Sequence, residues 1–224
     1  YYRDRWNWDV TYVGHPLVEV IEKAQAGPLP SFSDKPVIAL LPGSRKQEIS
    51  KKLPIMLGVS RHFPDYQFIV ARAPGVEDSF YDALIQEYNN VSYVTNQTYD
   101  LLRQSKAALV TSGTATLETA LFAVPEVVCY KGSPISYEIA KRVIKIKYIS
   151  LVNLIMDKLV VTELIQHDLT TENLKRELGK LLNDEKTKET LAADYAALKD
   201  LLSRGGNASA KAAVHVAAMA NGEV

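Results

Sequence analysis

The chain has 224 residues, 47% of them hydrophobic, enough to bury one substantial core with appendages. Lysine plus arginine equals aspartate plus glutamate at 26 each, so there is no overall basic field for nucleic acid and no acidic solvating tail. The single cysteine, Cys129 in Val127-Val128-Cys129-Tyr130, excludes an internal disulfide framework and reads as a buried, inert thiol of a reducing cytoplasm. No apolar stretch approaches the roughly 20 residues of a spanning helix, and no signal pattern opens the chain.

The first residues, Tyr1-Tyr2-Arg3-Asp4-Arg5-Trp6-Asn7-Trp8-Asp9, lead without an initiator Met into Val10-Thr11-Tyr12-Val13. This pattern predicts the last strand of something whose earlier part is missing, with residues 1–24 the remnant and junction of a preceding domain. Residues 25–36 form a linker, since Gly27, Pro28, Pro30 and Pro36 break any regular element. Val37 to Leu41 is a short apolar run, as expected of a strand buried on both faces. A helix over about 46 to 63 follows, interrupted at Pro54.

Strands are then expected at Gln67–Ala71, Val91–Val94, Ala107–Val110 and Glu126–Tyr130, separated by helices at about 77–88, Tyr99–Gln104 and Thr114–Ala123. This alternation predicts βαβ units, hence an α/β fold with a Rossmann-like, doubly wound parallel sheet over residues 37–166. Beyond Ser133 the pattern becomes mainly helical. Ile135–Ile146 is basic and amphipathic, Thr171–Leu182 and about 184–203 are amphipathic, and Ala208–Ala220 follows a Gly205-Gly206 break. Residues 167–224 are expected to be C-terminal helices.

Two strand ends carry the chemistry, because open parallel sheets bind ligands where strands end and helices begin. The first is Leu40-Leu41-Pro42-Gly43-Ser44-Arg45, followed by Glu48. Gly43 lets backbone approach a ligand, the next helix offers free N–H groups to an anion, and Arg45 can make a bidentate bond to phosphate. An ordinary turn with a solvated arginine would use the same residue types. The second is Ser112-Gly113-Thr114-Ala115-Thr116-Leu117-Glu118, where Glu118 lies one helical turn after Thr114 and could accept ribose hydroxyls. Capping by Ser112 or Thr114 would explain these types, but not their coincidence with the first loop. Together the loops favour a nucleotide. Neither Gly-x-Gly-x-x-Gly nor the Walker pattern occurs, no Asp-x-Asp pair follows a strand, and the four histidines lack paired ligand spacing, so neither a cofactor nor a metal is expected.

With these residues in view, the chain resembles the lipid-A-disaccharide synthases, glycosyltransferases of the GT-B class. The resemblance runs through Leu40–Ile49, Ser112–Glu118, Tyr130-Lys131, Ala140-Lys141-Arg142, Ile149–Leu154 and Glu163–Gln166, and upstream through Tyr12–Leu17. It implies the C-terminal, donor-binding half of an enzyme that transfers 2,3-diacylglucosamine from UDP to 2,3-diacylglucosamine 1-phosphate in lipid A biosynthesis, inverting the anomeric centre to form a β-1,6 link. By this resemblance Gly43, Ser44 and Arg45 hold the diphosphate, with Arg45 stabilising the leaving group. Ser112, Gly113, Thr114 and Ala115 close on it, Glu118 takes the ribose, and Val94, Thr95, Asn96 and Gln97 contact uracil. Glu48 orients Arg45, touches the donor, or is simply an exposed first-turn carboxylate favoured by the helix dipole, while Asn153 and Gln166 face the sugar or the interdomain cleft. His15 is read as structural.

The general base is expected in the missing N-terminal domain, so the chain by itself should bind UDP weakly and turn nothing over. The resemblance also implies a cytoplasmic protein peripheral to the inner membrane, C-terminal helices that return to or swap with the N-terminal domain, and a homodimer. Residues 139–148, cations flanking apolar positions, fit an acceptor phosphate, an anionic membrane surface or a core-packed helix with a solvated basic face. The rival readings are another GT-B activity, of the peptidoglycan N-acetylglucosaminyltransferase or UDP-sugar 2-epimerase type, and a non-catalytic nucleotide-binding or interaction module.

Overall fold

The computed structural model describes residues 2–133 and 147–222, and the following elements are those of the described residues. Two helices, α1 (Tyr2–Trp6) and α2 (Pro16–Gln25), precede the first strand. The alternating unit is then β1 (Val37–Leu41), α3 (Lys46–Ser60), β2 (Gln67–Arg72), α4 (Asp78–Ile85), β3 (Val91–Thr95), α5 (Thr98–Gln104), β4 (Ser105–Thr111), α6 (Thr114–Leu121) and β5 (Glu126–Tyr130). Beyond it lie α7 (Leu151–Met156), β6 (Thr162–Ile165), α8 (Thr171–Asn183), α9 (Glu185–Ser203) and α10 (Ala208–Ala220).

All six strands are parallel, in the order β3-β2-β1-β4-β5-β6. This is the doubly wound Rossmann-like order, and it reverses between β1 and β4. At the centre, Ala39 stands between Ile69 of β2 and Ala108 of β4. Ile38, Ala39, Leu40 and Ala107 to Val110 are wholly buried, because central parallel strands are covered on both faces. On one side α3 packs against α8; elsewhere α2 meets α5 and α6, and α9 meets α2, α6 and α7.

Four expectations change. Val10–Val13 forms no strand; α1 precedes it and this segment has no regular structure, with Tyr12 donating from its hydroxyl to the Leu202 carbonyl at 3.3 Å. Helix α3 runs unbroken through Pro54. An interior proline costs about 3 kcal/mol, but burying Ile49, Leu53, Met56 and Leu57 against the sheet returns about 1.5–3 kcal/mol each. A sixth strand follows α7; Thr162-Glu163-Leu164-Ile165 is a four-residue edge strand with a charge in it and no apolar run to betray it. Finally, the helices outside 37–166 share the sheet's core: Val18 and Ile21 of α2, Leu174 and Leu178 of α8, and Leu191, Tyr195 and Leu198 of α9 belong to one cluster. Helices α1 and α10 are the exceptions: α1 has no buried residue, and Ala208 is the one buried residue of α10. The basic segment Ile135–Ile146 lies outside the described residues.

The 25–36 stretch has no helix or strand beyond the end of α2, yet it is tied down. Arg103 on α5 donates to the carbonyls of Gln25, Gly27 and Pro28, and Gln104 accepts from the Phe32 amide at 3.3 Å. Gly14 and Gly205 bring two backbones together, since a Cβ on Gly205 would overlap the Gly14 main chain. The tip before α2 is thereby locked to the turn after α9. No helix among the described residues is long and apolar enough to cross a membrane.

Candidate functional site

The strand order reverses between β1 and β4, so the loops leaving their C-terminal ends diverge and open a crevice. A cleft of about 330 Å³ occupies this point, lined from the first loop by Gly43, Ser44 and Glu48 and from the second by Ser112, Gly113, Thr114 and Ala115. Both glycines sit at φ values that L side chains rarely adopt, +115° for Gly43 and +140° for Gly113. At Gly43 the space is also closed, since a Cβ there would come within 3.0 Å of Glu48 Oε2. The two loops predicted from sequence to form a phosphate cradle thus meet across one cleft.

The helix starts divide into two groups. His15, Ser150, Thr170, Asp184 and Asn207 each cap a helix, accepting from a backbone amide of the first turn. The four helices that directly follow β1 to β4 begin at Arg45, Glu77, Gln97 and Gly113, and none has a side-chain cap. At the cleft, therefore, the first-turn amides of α3 and α6 keep their donors free of side-chain acceptors. Uncapped N-termini combined with the helix dipole favour an anion. Ser112 and Thr114 do not cap α6: Ser112 Oγ donates instead to the Ile149 carbonyl at 3.0 Å.

The family model described as lipid-A-disaccharide synthetase matches residues 1–217. The chain belongs to the lipid-A-disaccharide synthase family. It is 35% identical over 207 residues to the lipid-A-disaccharide synthase of Geobacter sulfurreducens, covering 88% of this chain and 54% of that protein. It is 35% identical over 217 residues to that of Syntrophus aciditrophicus, covering 92% and 56%. The chain thus spans about half the length of the curated relatives it matches. Among solved structures, the calicheamicin glycosyltransferase CalG4 superposes with a TM-score of 0.58 at 18% identity, over 86% of this chain and 44% of that one. WaaG, a glycosyltransferase involved in lipopolysaccharide biosynthesis, does so with a TM-score of 0.52 at 14% identity, over 93% and 53%. At such identities these two likenesses establish the fold alone.

Within this family member, the remaining candidate residues are distributed unevenly around the cleft. Arg45 is 82% exposed and pairs with Glu48, Nη1 to Oε1 at 3.2 Å, and Glu48 lines the cleft. Glu118 is half-buried one turn into α6 and does not line the cleft; burial raises its carboxyl, and its charge reaches Tyr99 on α5. Val94, Thr95, Asn96 and Gln97 end β3 and lead into α5, with Asn96 left-handed at φ 56°, while Thr98 beside them is the one that reaches the cleft wall.

Asn153 departs from its expected role. It is wholly buried, its Nδ2 donates to the Val161 carbonyl and to Glu163 Oε1, each at 2.9 Å, and its Oδ1 accepts from the Val160 and Val161 amides. An asparagine has two donors and two acceptor lone pairs, so none remains to face a sugar. Gln166, left-handed at φ 52°, is buried at the end of β6, and its Nε2 has no hydrogen-bond partner among the described residues. His15 is the N-cap of α2, its Nδ1 accepting from the Leu17 amide at 3.3 Å. Burial pushes the Cys129 thiol well above its ordinary range.

Two cations at the site were not singled out from sequence. Arg72 ends β2 and lines the cleft; its Nε donates to Thr95 Oγ1 at 2.9 Å, its guanidinium stacks 5.2 Å from the Tyr93 ring centre, and it pairs with Asp78. Lys52 lies beneath the Gly43 loop and bonds Thr111 Oγ1. A lysine amid Ser50-Lys51-Lys52-Leu53 reads as solvated helix surface; only the packing of α3 on the sheet turns it inward.

Proposed function

We propose that this chain forms the donor-binding half of a lipid-A-disaccharide synthase. In that reading UDP-2,3-diacylglucosamine is held with its diphosphate between the Gly43–Arg45 and Ser112–Ala115 loops. The observation that carries the reading is the pair of helix N-termini, uncapped by side chains, that face one cleft at the point where the strand order reverses. As the bond to UDP breaks, negative charge grows on the bridging oxygen. Preorganised amides of α3 and α6 together with Arg45 would stabilise it without reorganising, which is the most effective form of electrostatic catalysis. Glu118 would accept ribose hydroxyls, and the 94–97 turn with Arg72 would border the base.

The acceptor in this reading is 2,3-diacylglucosamine 1-phosphate, and its 6-hydroxyl needs a general base. Glu48 is the one carboxylate among the described cleft-lining residues, and it is engaged by Arg45. In this reading the base would belong to the acceptor-binding part of the full enzyme, as the family resemblance implies, and that enzyme would work at the cytoplasmic face of the inner membrane where its lipid substrates lie. Calorimetric titration with UDP and with uridine tests the donor site. Tighter binding of UDP than of uridine is expected, and equal binding, or none, would overturn the assignment. Turnover by this chain alone with both lipid substrates would contradict the division of labour.

A further inference from the structure

Lys52 lies two turns into α3, and its side chain is 4% exposed. Side chains on a helix lean toward its N-terminus, so a long one at this position reaches back under the loop that starts the helix. The ammonium arrives between the ends of β1 and β4. It donates to Thr111 Oγ1, lies 3.8 Å from Glu48 Oε2, and would be 3.6 Å from a Cβ placed on Gly43. Gly43, Glu48 and Thr111 are all cleft-lining residues. Thr111 is its hydrogen-bond partner among the described residues, which leaves two of the three ammonium donors without one.

We propose that Lys52 is the buried counter-charge of the cradle, supplying through the Gly43 loop most of its charge-dependent affinity for a nucleoside diphosphate. The proposal rests on the donor-site reading above. Arg45, the cation that the sequence advertises, is 82% exposed and already paired. Water and salt screen it, whereas a charge at an effective dielectric of about 20 interacts about four times more strongly than in bulk water. An ammonium so enclosed carries a desolvation cost that the Thr111 hydroxyl and a carboxylate at 3.8 Å offset only in part. Burial accordingly depresses its proton affinity, with Glu48 and Cys129 opposing and Lys51 adding to the shift. An incoming diphosphate would remove that penalty, so ligand binding and the charge on Lys52 should be linked.

Isothermal titration of the whole chain with UDP and with uridine, for the parent and for Lys52→Met, decides the matter. The expected result is a loss of at least about tenfold in UDP affinity with uridine affinity held within about twofold, and a loss that persists at high salt. UDP affinity within about twofold of the parent in a folded Lys52→Met would overturn the proposal. Should that variant not fold, Lys52→Gln keeps a donor for Thr111 without the charge and is read in the same way. In the unsubstituted chain, UDP should also draw in protons at alkaline pH beyond any drawn in by uridine, seen by repeating the titration in buffers of different ionisation enthalpy. No excess uptake would equally sink the role of Lys52. A parent chain that does not prefer UDP to uridine would instead remove the donor site itself, and the inference with it.

Discussion

Asn153 Nδ2 lies 2.9 Å from Glu163 Oε1, and this bond clasps α7 to β6. The same carboxylate accepts from the amides of Ile149 and Ser150, so one edge-strand glutamate organises the whole turn from 149 to 153. Asn153→Ala removes four hydrogen bonds, two buried and two part-buried, and should destabilise the chain by about 2–4 kcal/mol, lowering Tm by roughly 4–16 °C. UDP affinity, measured well below the transition, should be unchanged. A loss of UDP affinity in a fully folded Asn153→Ala would return this residue to the ligand.

Arg45 and Glu118 should separate by ligand. Arg45→Ala is expected to weaken UDP by about threefold to tenfold at low salt, to leave uridine alone, and to matter less as salt rises, because the guanidinium is exposed. Glu118→Ala should weaken UDP and uridine in equal proportion, since its proposed partners are hydroxyls that both ligands carry. Titrations of the two variants at two salt concentrations check both statements.

Glu126 opens β5 wholly buried, and neither carboxyl oxygen has a hydrogen-bond partner among the described residues. Burial raises its carboxyl well above the usual carboxylate range. The folded chain therefore holds a proton that the unfolded chain releases, and stability must fall as pH climbs from the ordinary carboxylate range to the raised folded value. Glu126→Met should stabilise the protein by about 1–3 kcal/mol near neutrality and abolish that fall. Thermal melts of parent and variant across pH make the comparison; parallel profiles would show that Glu126 does not titrate in this way.

Gly205 faces the Gly14 backbone with no space for a side chain. Gly205→Ala should push the segment before α2 away from the turn after α9, at a cost of about 1–3 kcal/mol. Proteolysis around residues 7–15 should accelerate in the variant, and an unchanged Tm and cleavage rate would show that the contact carries no stability.

The legibility of each part follows from the range of the interactions that create it. Strands β1 to β5 and the helices between them were readable because a buried parallel strand is a continuous apolar run and its helix follows with a different period. The two cradle loops were readable for a related reason: glycine and small hydroxylated residues at a strand-to-helix turn are a local requirement. Strand β6 was not, since four residues including Glu163 become a strand only when the edge of β5 is there to pair with them.

By itself, the sequence determined the Rossmann-like alternation, the positions of the Gly43 and Gly113 turns and, through its motifs, the family. Tertiary structure alone decided which polar side chains face inward. It turned Asn153 from a ligand candidate into a structural clasp, carried Arg72 to the cleft and drove Lys52 beneath the Gly43 loop. The physical reason is that local pattern fixes backbone conformation over a few residues. The surroundings of a charge, and so its strength, depend on chain segments far away in sequence: 59 residues separate Lys52 from the Thr111 hydroxyl it meets.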